Sequence, residues 1–251
     1  MGVNKNIQAI IWDYDGTLVD SRRKNLNVTR RIIENVSGKS WNNFYVLKSS
    51  EEYHLAHSKA TNWREFYEIE FNWNDKQIDE AGRLWTEFQL EDQTPLPFID
   101  GVEKVIKAMS EIPQGIVSQN SRENIIKKLK EKKLLSHFRN IVGYEEVSME
   151  NQKPDPAGLL MCIEGLAEHK SGYVFYIGDH ETDVRCALNA NDVLGKVKKD
   201  IKILSIGAFY GFDVDTSGWD FLPDYKTQNA GDIINIIRNF QKGANTYIAG
   251  R

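Results

Sequence analysis

The chain has only two cysteines, Cys162 and Cys186, in 251 residues. Both fall on predicted helices in apolar surroundings, so they read as reduced core thiols, although a pair can in principle bridge. Together with five scattered histidines they show no structural-zinc spacing. Long apolar runs are missing too, and none approaches the roughly 20 residues that a spanning helix needs. Met1 to Asn6 leads into an apolar strand with no signal-peptide pattern, and Asn6 stands where a myristoylation motif wants Ser or Thr. These absences predict a cytoplasmic protein without a membrane partner. Charge of one sign is also lacking: 32 basic against 36 acidic residues leave a net charge of -4. That balance gives no general attraction to nucleic acid or anionic lipid. The run Lys127, Lys128, Lys130, Lys132 and Lys133 reads as the solvated face of a helix.

The chain does have a sizeable apolar fraction, 41%, enough to fill an interior. Ile7 to Trp12 has the continuous apolar character of a buried strand. Residues 21 to 91 change character, with aromatic and charged residues recurring at helical spacing. The spacing predicts helices over Arg22–Val36, Tyr45–Ser58, Trp63–Phe71 and Asp75–Glu91. Trp41, Phe44, Trp63, Phe66, Tyr67, Phe71, Trp73, Trp85 and Phe88 concentrate there, as the core of a small bundle requires. Thr94-Pro95-Leu96-Pro97 closes this block as a linker.

Beyond it, helices and short strands alternate. Helices are predicted over Gly101–Ser110, Arg122–Lys132, Asp155–His169, Glu181–Asn191 and Ala230–Phe240. Strands are predicted over Gly115–Ser118, Asn140–Val142, Tyr173–Ile177 and Ile201–Ile206. Such alternation means an α/β fold, a Rossmann-like and mostly parallel sheet with helices on both faces. The expected organisation is a core of residues 1–19 and 98–251, with a small α-helical domain, 20–97, inserted after the first strand.

In such a sheet, ligands bind outside the carboxyl ends of the strands. At those ends stand Asp13 and Asp15, Ser118 with Asn120, Asp179 and Asp183, with Lys153 in the loop before a helix. This set suits transfer of a phosphoryl group to and from a carboxylate. A phosphate dianion repels an aspartate nucleophile, so the site must supply cations and anion-binding donors. Mg2+ takes hard oxygen ligands, which Asp13, Asp179 and a backbone carbonyl near Asp15 can provide. Lys153 can neutralise a phosphoryl oxygen, and the Ser118 hydroxyl and backbone N–H groups near Asp15 to Thr17 can bind others. Asp13 would attack phosphorus in line, while Asp15 would protonate the leaving oxygen and later take a proton from water.

Four ordered stretches carry a resemblance: Asp13-Tyr14-Asp15-Gly16-Thr17-Leu18, Ser118, Lys153-Pro154-Asp155-Pro156, and Gly178-Asp179-His180-Glu181-Thr182-Asp183. The pattern resembles the haloacid dehalogenase-like superfamily, in its phosphatase branch with a helical cap after the first strand. Within that branch it is similar to phosphoglycolate phosphatases. The resemblance implies Asp13 as nucleophile, Asp15 as acid and base, and Ser118 and Lys153 as phosphoryl-binding groups. It implies Asp179 as a direct Mg2+ ligand and Asp183 as an acid at or behind the metal, with Asp13 and Asp15 completing the metal site. The implied partner is a small phosphorylated metabolite, with 2-phosphoglycolate first among candidates, and the protein is expected to be a monomer or homodimer. Two stretches depart from the family's pattern. Asn189-Ala190-Asn191-Asp192 replaces an Asn-Ala-Gly turn, and Gln119-Asn120-Ser121 replaces Thr-Asn-Lys.

His180 reads as a rim or capping residue. Arg22, Arg23, Lys24, His54, His57, Lys59 and Arg64 are the cations of the inserted domain available to a substrate carboxylate. Hinges for a closing cap are expected near Val19–Ser21 and Pro95–Phe98. Three other readings use the same residues: a β-phosphoglucomutase-like phosphomutase, a dehalogenase in which Asp15 is superfluous, and a binding protein without catalysis.

Overall fold

The computed structural model describes residues 5–60, 62–167, 171–211 and 214–243. The readings made on Met1–Asn4, and the last two residues of the helix predicted over Asp155–His169, lie outside them. The chain divides into two compact units, Met1–Val19 with Phe98–Arg251, and Asp20–Pro97.

The first unit is built on six strands: β1 (Ile7–Trp12), β2 (Gln114–Val117), β3 (Phe138–Val142), β4 (Ser171–Gly178), β5 (Asp200–Ala208) and β6 (Tyr225–Thr227). Their order is β3-β2-β1-β4-β5-β6, and every pairing is parallel. β1 is buried along its whole length because it pairs on both edges and is covered on both faces. That is why its six residues read as an unbroken apolar run rather than an alternation. Chain order reverses at β1, with β2 on one side and β4 on the other, so the crevice at its carboxyl end is the place for a ligand.

Helices α5 (Val102–Ala108), α6 (Arg122–Glu131), α7 (Ala157–Glu164), α8 (Glu181–Lys196) and α9 (Asp232–Gln241) complete the unit. On one face Ala9, Ile11, Val174 and Tyr176 pack with Leu159 and Ile163 of α7 and Ala187 and Leu194 of α8. On the other, Phe175 meets Phe240 of α9 edge-on at 5.3 Å. There Trp12 Nε1 donates to Gln114 Oε1 at 3.0 Å, and Gln114 Nε2 donates to the Ile106 carbonyl of α5 at 2.8 Å. Cys162 and Cys186 are buried and unpaired.

Among the differences from the sequence reading, three have a physical reason in the packing. The helix expected to stop at Asn191 continues to Lys196, because Leu194 enters the core and Asn191 has another task. Its side chain donates to the Ile203 carbonyl (2.9 Å) and accepts the Ile203 N–H (2.8 Å), clipping α8 to β5. The helix expected over Tyr45–Ser58 is a short 3-10 turn, Tyr45–Leu47, followed by a helix capped by Ser49. β6 was not anticipated, since three residues show no period and only pairing with β5 makes them a strand.

The second unit contains α1 (Arg22–Ser37), α2 (Ser50–His57), α3 (Trp63–Phe71) and α4 (Asp75–Glu91). Asn62 and Asn74 cap the last two through their side chains. Phe66, Tyr67, Phe71, Trp73 and Phe88 are buried in its own core, and Trp41, Phe44, Trp63 and Trp85 pack against that core partly exposed. Large rings give so small a bundle the buried area it needs. Among the described residues no helix is long and apolar enough to cross a membrane.

Candidate active site

The site grows out of the end of β1. The Asp13 N–H donates to the Ile177 carbonyl at 2.8 Å, carrying the β1–β4 ladder one residue past the strand. The chain then turns: the Leu18 and Val19 N–H groups return to the Tyr14 carbonyl, and the Gly16 N–H donates to the Val19 carbonyl. Gly16 sits at φ +81°, and a Cβ built there would lie 2.2 Å from Asp179 Oδ2. Both facts require glycine: the backbone conformation disfavours a side chain, and the space belongs to an acid from β4. Thr17 Oγ1 donates to Asp179 Oδ1 at 3.1 Å from the same turn.

Lys153 lies in the loop before α7, where its backbone is fixed from two sides. Gln119 Nε2 donates to the Lys153 carbonyl (3.1 Å), and Asn189 Nδ2 donates to the next carbonyl, of Pro154 (2.9 Å). Asp155 Oδ1 accepts the Ala157 N–H at 2.9 Å just ahead of α7, which begins at Ala157, two residues later than the sequence reading placed it. The Lys153 ammonium donates to Asp13 Oδ1 at 2.5 Å and to Asp183 Oδ1 at 2.7 Å, with all three residues buried at 7%, 8% and 5% exposure for Asp13, Lys153 and Asp183. Asp183 stands in the first turn of α8, and its Oδ2 accepts the His180 N–H at 3.3 Å. His180 caps that helix, its Nδ1 accepting the Thr182 N–H.

Asp13, Asp179 and Asp183 form one group, each offering an oxygen within 4.8 Å of the others. Burial pushes the Asp13 carboxyl up to about 7, with Asp183 and Asp15 adding to the rise and Lys153 opposing it. Burial, then Asp13 and Asp183, push Asp179 well above the usual carboxylate range. For Lys153, burial works against the charge, but Asp13 and Asp183 outweigh it and hold the ammonium protonated. Three converging acids with one ammonium are thus short of positive charge. Their oxygen-only donor set fits a hard divalent cation, so the cluster can hold such a metal.

Asp15 belongs to a second arrangement. Its Oδ2 accepts from Asn120 Nδ2 at 2.9 Å, and its carboxylate lies outside the three-acid group. Ser118 is buried at the end of β2, where its Oγ accepts the Asn120 N–H at 3.0 Å. The structure therefore joins Asp13, Lys153 and Asp183 directly, sets Asp179 beside them, and links Ser118 to Asp15 through Asn120.

Three contributors escaped the sequence reading. Asn120 stood in it only beside Ser118 at a strand end, with no task for the side chain that holds Asp15. Tyr176, whose hydroxyl donates to Asp183 Oδ1 at 2.9 Å, looked like any core aromatic. Tyr210, whose hydroxyl donates to the Thr17 carbonyl at 3.0 Å, follows a strand whose end carried no acid to draw notice.

A nucleophile-capable acid, a lysine and a metal-binding acid cluster on this sheet edge define a hydrolase of the phosphatase type. The model of the haloacid dehalogenase-like hydrolases matches residues 10–193, and the chain belongs to that family. Pyrophosphatase PpaX from Listeria monocytogenes serotype 4a (strain HCC23) is 28% identical over 169 residues, covering 66% of this chain and 71% of that one. Among solved structures, a predicted phosphoglycolate phosphatase from Haemophilus somnus 129pt is similar with a TM-score of 0.67. It is 16% identical, over 92% of this chain and 98% of its own. CbbY from Rhodobacter sphaeroides, in complex with phosphate, is similar with a TM-score of 0.65 and 16% identity, over 91% of this chain and 96% of that one. These two likenesses are of fold.

Proposed function

We propose that this chain is a Mg2+-dependent phosphatase that hydrolyses a small-molecule phosphomonoester through an aspartyl-phosphate on Asp13. The observation that carries the reading is the separate housing of two acids on one loop, Asp13 against Lys153 and Asp15 against Asn120. Lys153 orients the Asp13 carboxylate, which attacks phosphorus in line as the bond to the leaving oxygen breaks. Asp15, protonated at that moment, gives its proton to the leaving oxygen. In the second half it takes a proton from the water that attacks the aspartyl-phosphate, and the bond between phosphorus and Asp13 breaks to release orthophosphate. Lys153 and Ser118 bind phosphoryl oxygens. Asp13, Asp179, Asp183 and the Asp15 backbone carbonyl are the groups that would hold Mg2+, which supplies charge neutralisation for the phosphoryl group when bound.

For the substrate, 2-phosphoglycolate is supported by the fold likeness to a phosphoglycolate phosphatase, and pyrophosphate by the name of the curated relatives. Both carry a second anionic group beside the phosphoryl. The test measures phosphate release from an aryl phosphate, 2-phosphoglycolate, pyrophosphate and a hexose 1-phosphate, with Mg2+ or EDTA. Release is expected only with Mg2+, and Asp13→Asn should abolish it. Equal background rates in every sample would sink the enzyme reading. Isomerised sugar phosphate without net release would replace hydrolysis by a mutase.

A further inference from the structure

We propose that Tyr176 is a positioning residue of this site, its buried hydroxyl fixing Asp183 and, through Asp183, the ammonium of Lys153. The inference rests on the phosphatase reading above for the roles of Lys153 and the acid cluster. Tyr176 belongs to β4, where it is 1% exposed and packs within the apolar cluster formed with α7 and α8. Burying a phenol there is unfavourable unless its hydroxyl finds a partner, and phenylalanine, as at neighbouring Phe175, would fill an apolar position without that cost. The partner is Asp183 Oδ1, 2.9 Å away, and the same oxygen receives the Lys153 ammonium at 2.7 Å. Asp183 Oδ2 accepts the His180 N–H. Three donors from three elements, namely β4, the Lys153 loop and the start of α8, therefore hold one carboxylate at both oxygens.

Such a carboxylate cannot rotate freely. With Asp183 fixed, Lys153 has two anchored acceptors, Asp13 and Asp183, and its ammonium stands at a defined point beside Asp13. The Tyr176 hydroxyl is the donor in that contact, since the carboxylate oxygen of Asp183 accepts. Without that hydroxyl, Asp183 Oδ1 keeps the Lys153 ammonium and Oδ2 the His180 N–H, and the carboxylate is held less firmly where a cation would bind. Outer hydrogen-bond partners of metal-binding groups typically control metal affinity by about 10- to 100-fold.

The experiment uses the full chain and Mg2+ alone as the probe. Tyr176→Phe, which keeps the ring in the core, should weaken Mg2+ binding by about tenfold in calorimetry while its melting temperature stays near wild type. An Mg2+ Kd within twofold of wild type overturns the assignment, as does a lower melting temperature with Kd unchanged, which would mark a packing role only. A second measurement is made on the wild-type chain, with Tyr176→Phe serving only to assign the resonance. With tyrosines of the wild-type chain labelled at Cζ, Mg2+ should shift the resonance that is missing from Tyr176→Phe, with the calorimetric midpoint, and that resonance staying fixed overturns the assignment. Asp13→Asn turnover separates the two levels. Wild-type turnover in Asp13→Asn defeats the phosphatase reading, and with it the role of Lys153 on which Tyr176 depends. An inactive Asp13→Asn beside a Tyr176→Phe that binds Mg2+ normally defeats Tyr176 alone.

Discussion

Replacing Gly16 by alanine separates the cost of a backbone conformation from the cost of moving a buried acid. Gly16 holds φ +81°, where an added Cβ would stand 2.2 Å from Asp179 Oδ2, 2.7 Å from Cγ and 2.9 Å from Oδ1. The conformational part costs about 1–2 kcal/mol, or about 2–8 °C in melting temperature for a chain of this size. The steric part cannot be met by the flexible end of a long side chain, since all three close atoms belong to the short Asp179 carboxylate. That group must move by about 1 Å to reach ordinary contact, breaking the Thr17 hydrogen bond as it goes. Misplacement on this scale costs about 100-fold in rate. Gly38 is the control: its φ is +66° and nothing lies within 4 Å of an added Cβ. Gly38→Ala should therefore lower the melting temperature by a similar amount and leave kcat/KM unchanged. The assay is steady-state aryl phosphate hydrolysis with thermal unfolding on the same samples. Gly16→Ala turning over within a few-fold of wild type would refute the reasoning, as would equal activity losses in both variants.

Proton and metal should compete at the acid cluster. Asp13 and Asp179 are raised in the folded chain, mainly by burial, so between the ordinary value of 3.8 and about 7 the metal-free protein keeps protons that the unfolded chain has lost. Stability without metal should consequently fall as pH rises through that window, while Mg2+ affinity rises and binding releases protons. Calorimetry from pH 5.5 to 7.5 in buffers of different ionisation enthalpy checks this, and a flat Kd speaks against it. Glu181 Oε1 accepts the N–H groups of Asp220 (2.7 Å) and Phe221 (3.0 Å). Glu181→Ala should speed hydrogen exchange at those two amides, and Glu181→Gln, which keeps the acceptor oxygen, should restore protection; unchanged exchange in the alanine variant removes the clip from the account.

How much of this was legible in the sequence depends on whether a feature is set by its own residues or by a distant contact. β1 declared itself because a strand buried on both faces has no polar positions, and the acids at the strand ends stood out because apolar runs lead straight into them. Lys153 was legible from the proline-rich turn that follows it. Asn120 was not, because its side chain meets Asp15 across 105 residues and only the turn after β2 sets its direction. Tyr176 was hidden for the same reason, being an aromatic in an apolar strand until Asp183 comes round on α8. The stretch Asn189-Ala190-Asn191-Asp192 looked like an altered turn, yet Asn191 works as a side-chain clip on β5 within a continuous helix. A local pattern cannot distinguish these outcomes, since the same polar residue ends a helix or rides through one according to what faces it.

The fit of this sheet edge to a divalent cation follows from a charge count and stands independently of any relative. Asp13, Asp179 and Asp183 bring three carboxylates within 4.8 Å of one another, and among the described residues the lysine that enters the group is Lys153. At that separation and an effective dielectric constant of about 20, each pair of ionised carboxylates repels by about 3 kcal/mol. Lys153 offsets the repulsion at Asp13 and Asp183, which it touches, whereas Asp179 has a threonine hydroxyl. The phosphoryl dianion of the proposed substrate would add two further negative charges. The cluster can therefore receive that substrate in two conditions, with its acids protonated or with a cation among them. Protonation of Asp13 would remove the nucleophile of the proposed reaction, because a neutral carboxyl does not attack phosphorus. A cation would offset the repulsion at all three acids while leaving Asp13 ionised, so the acids that make the empty cluster electrostatically unfavourable are the ones that fit a divalent metal.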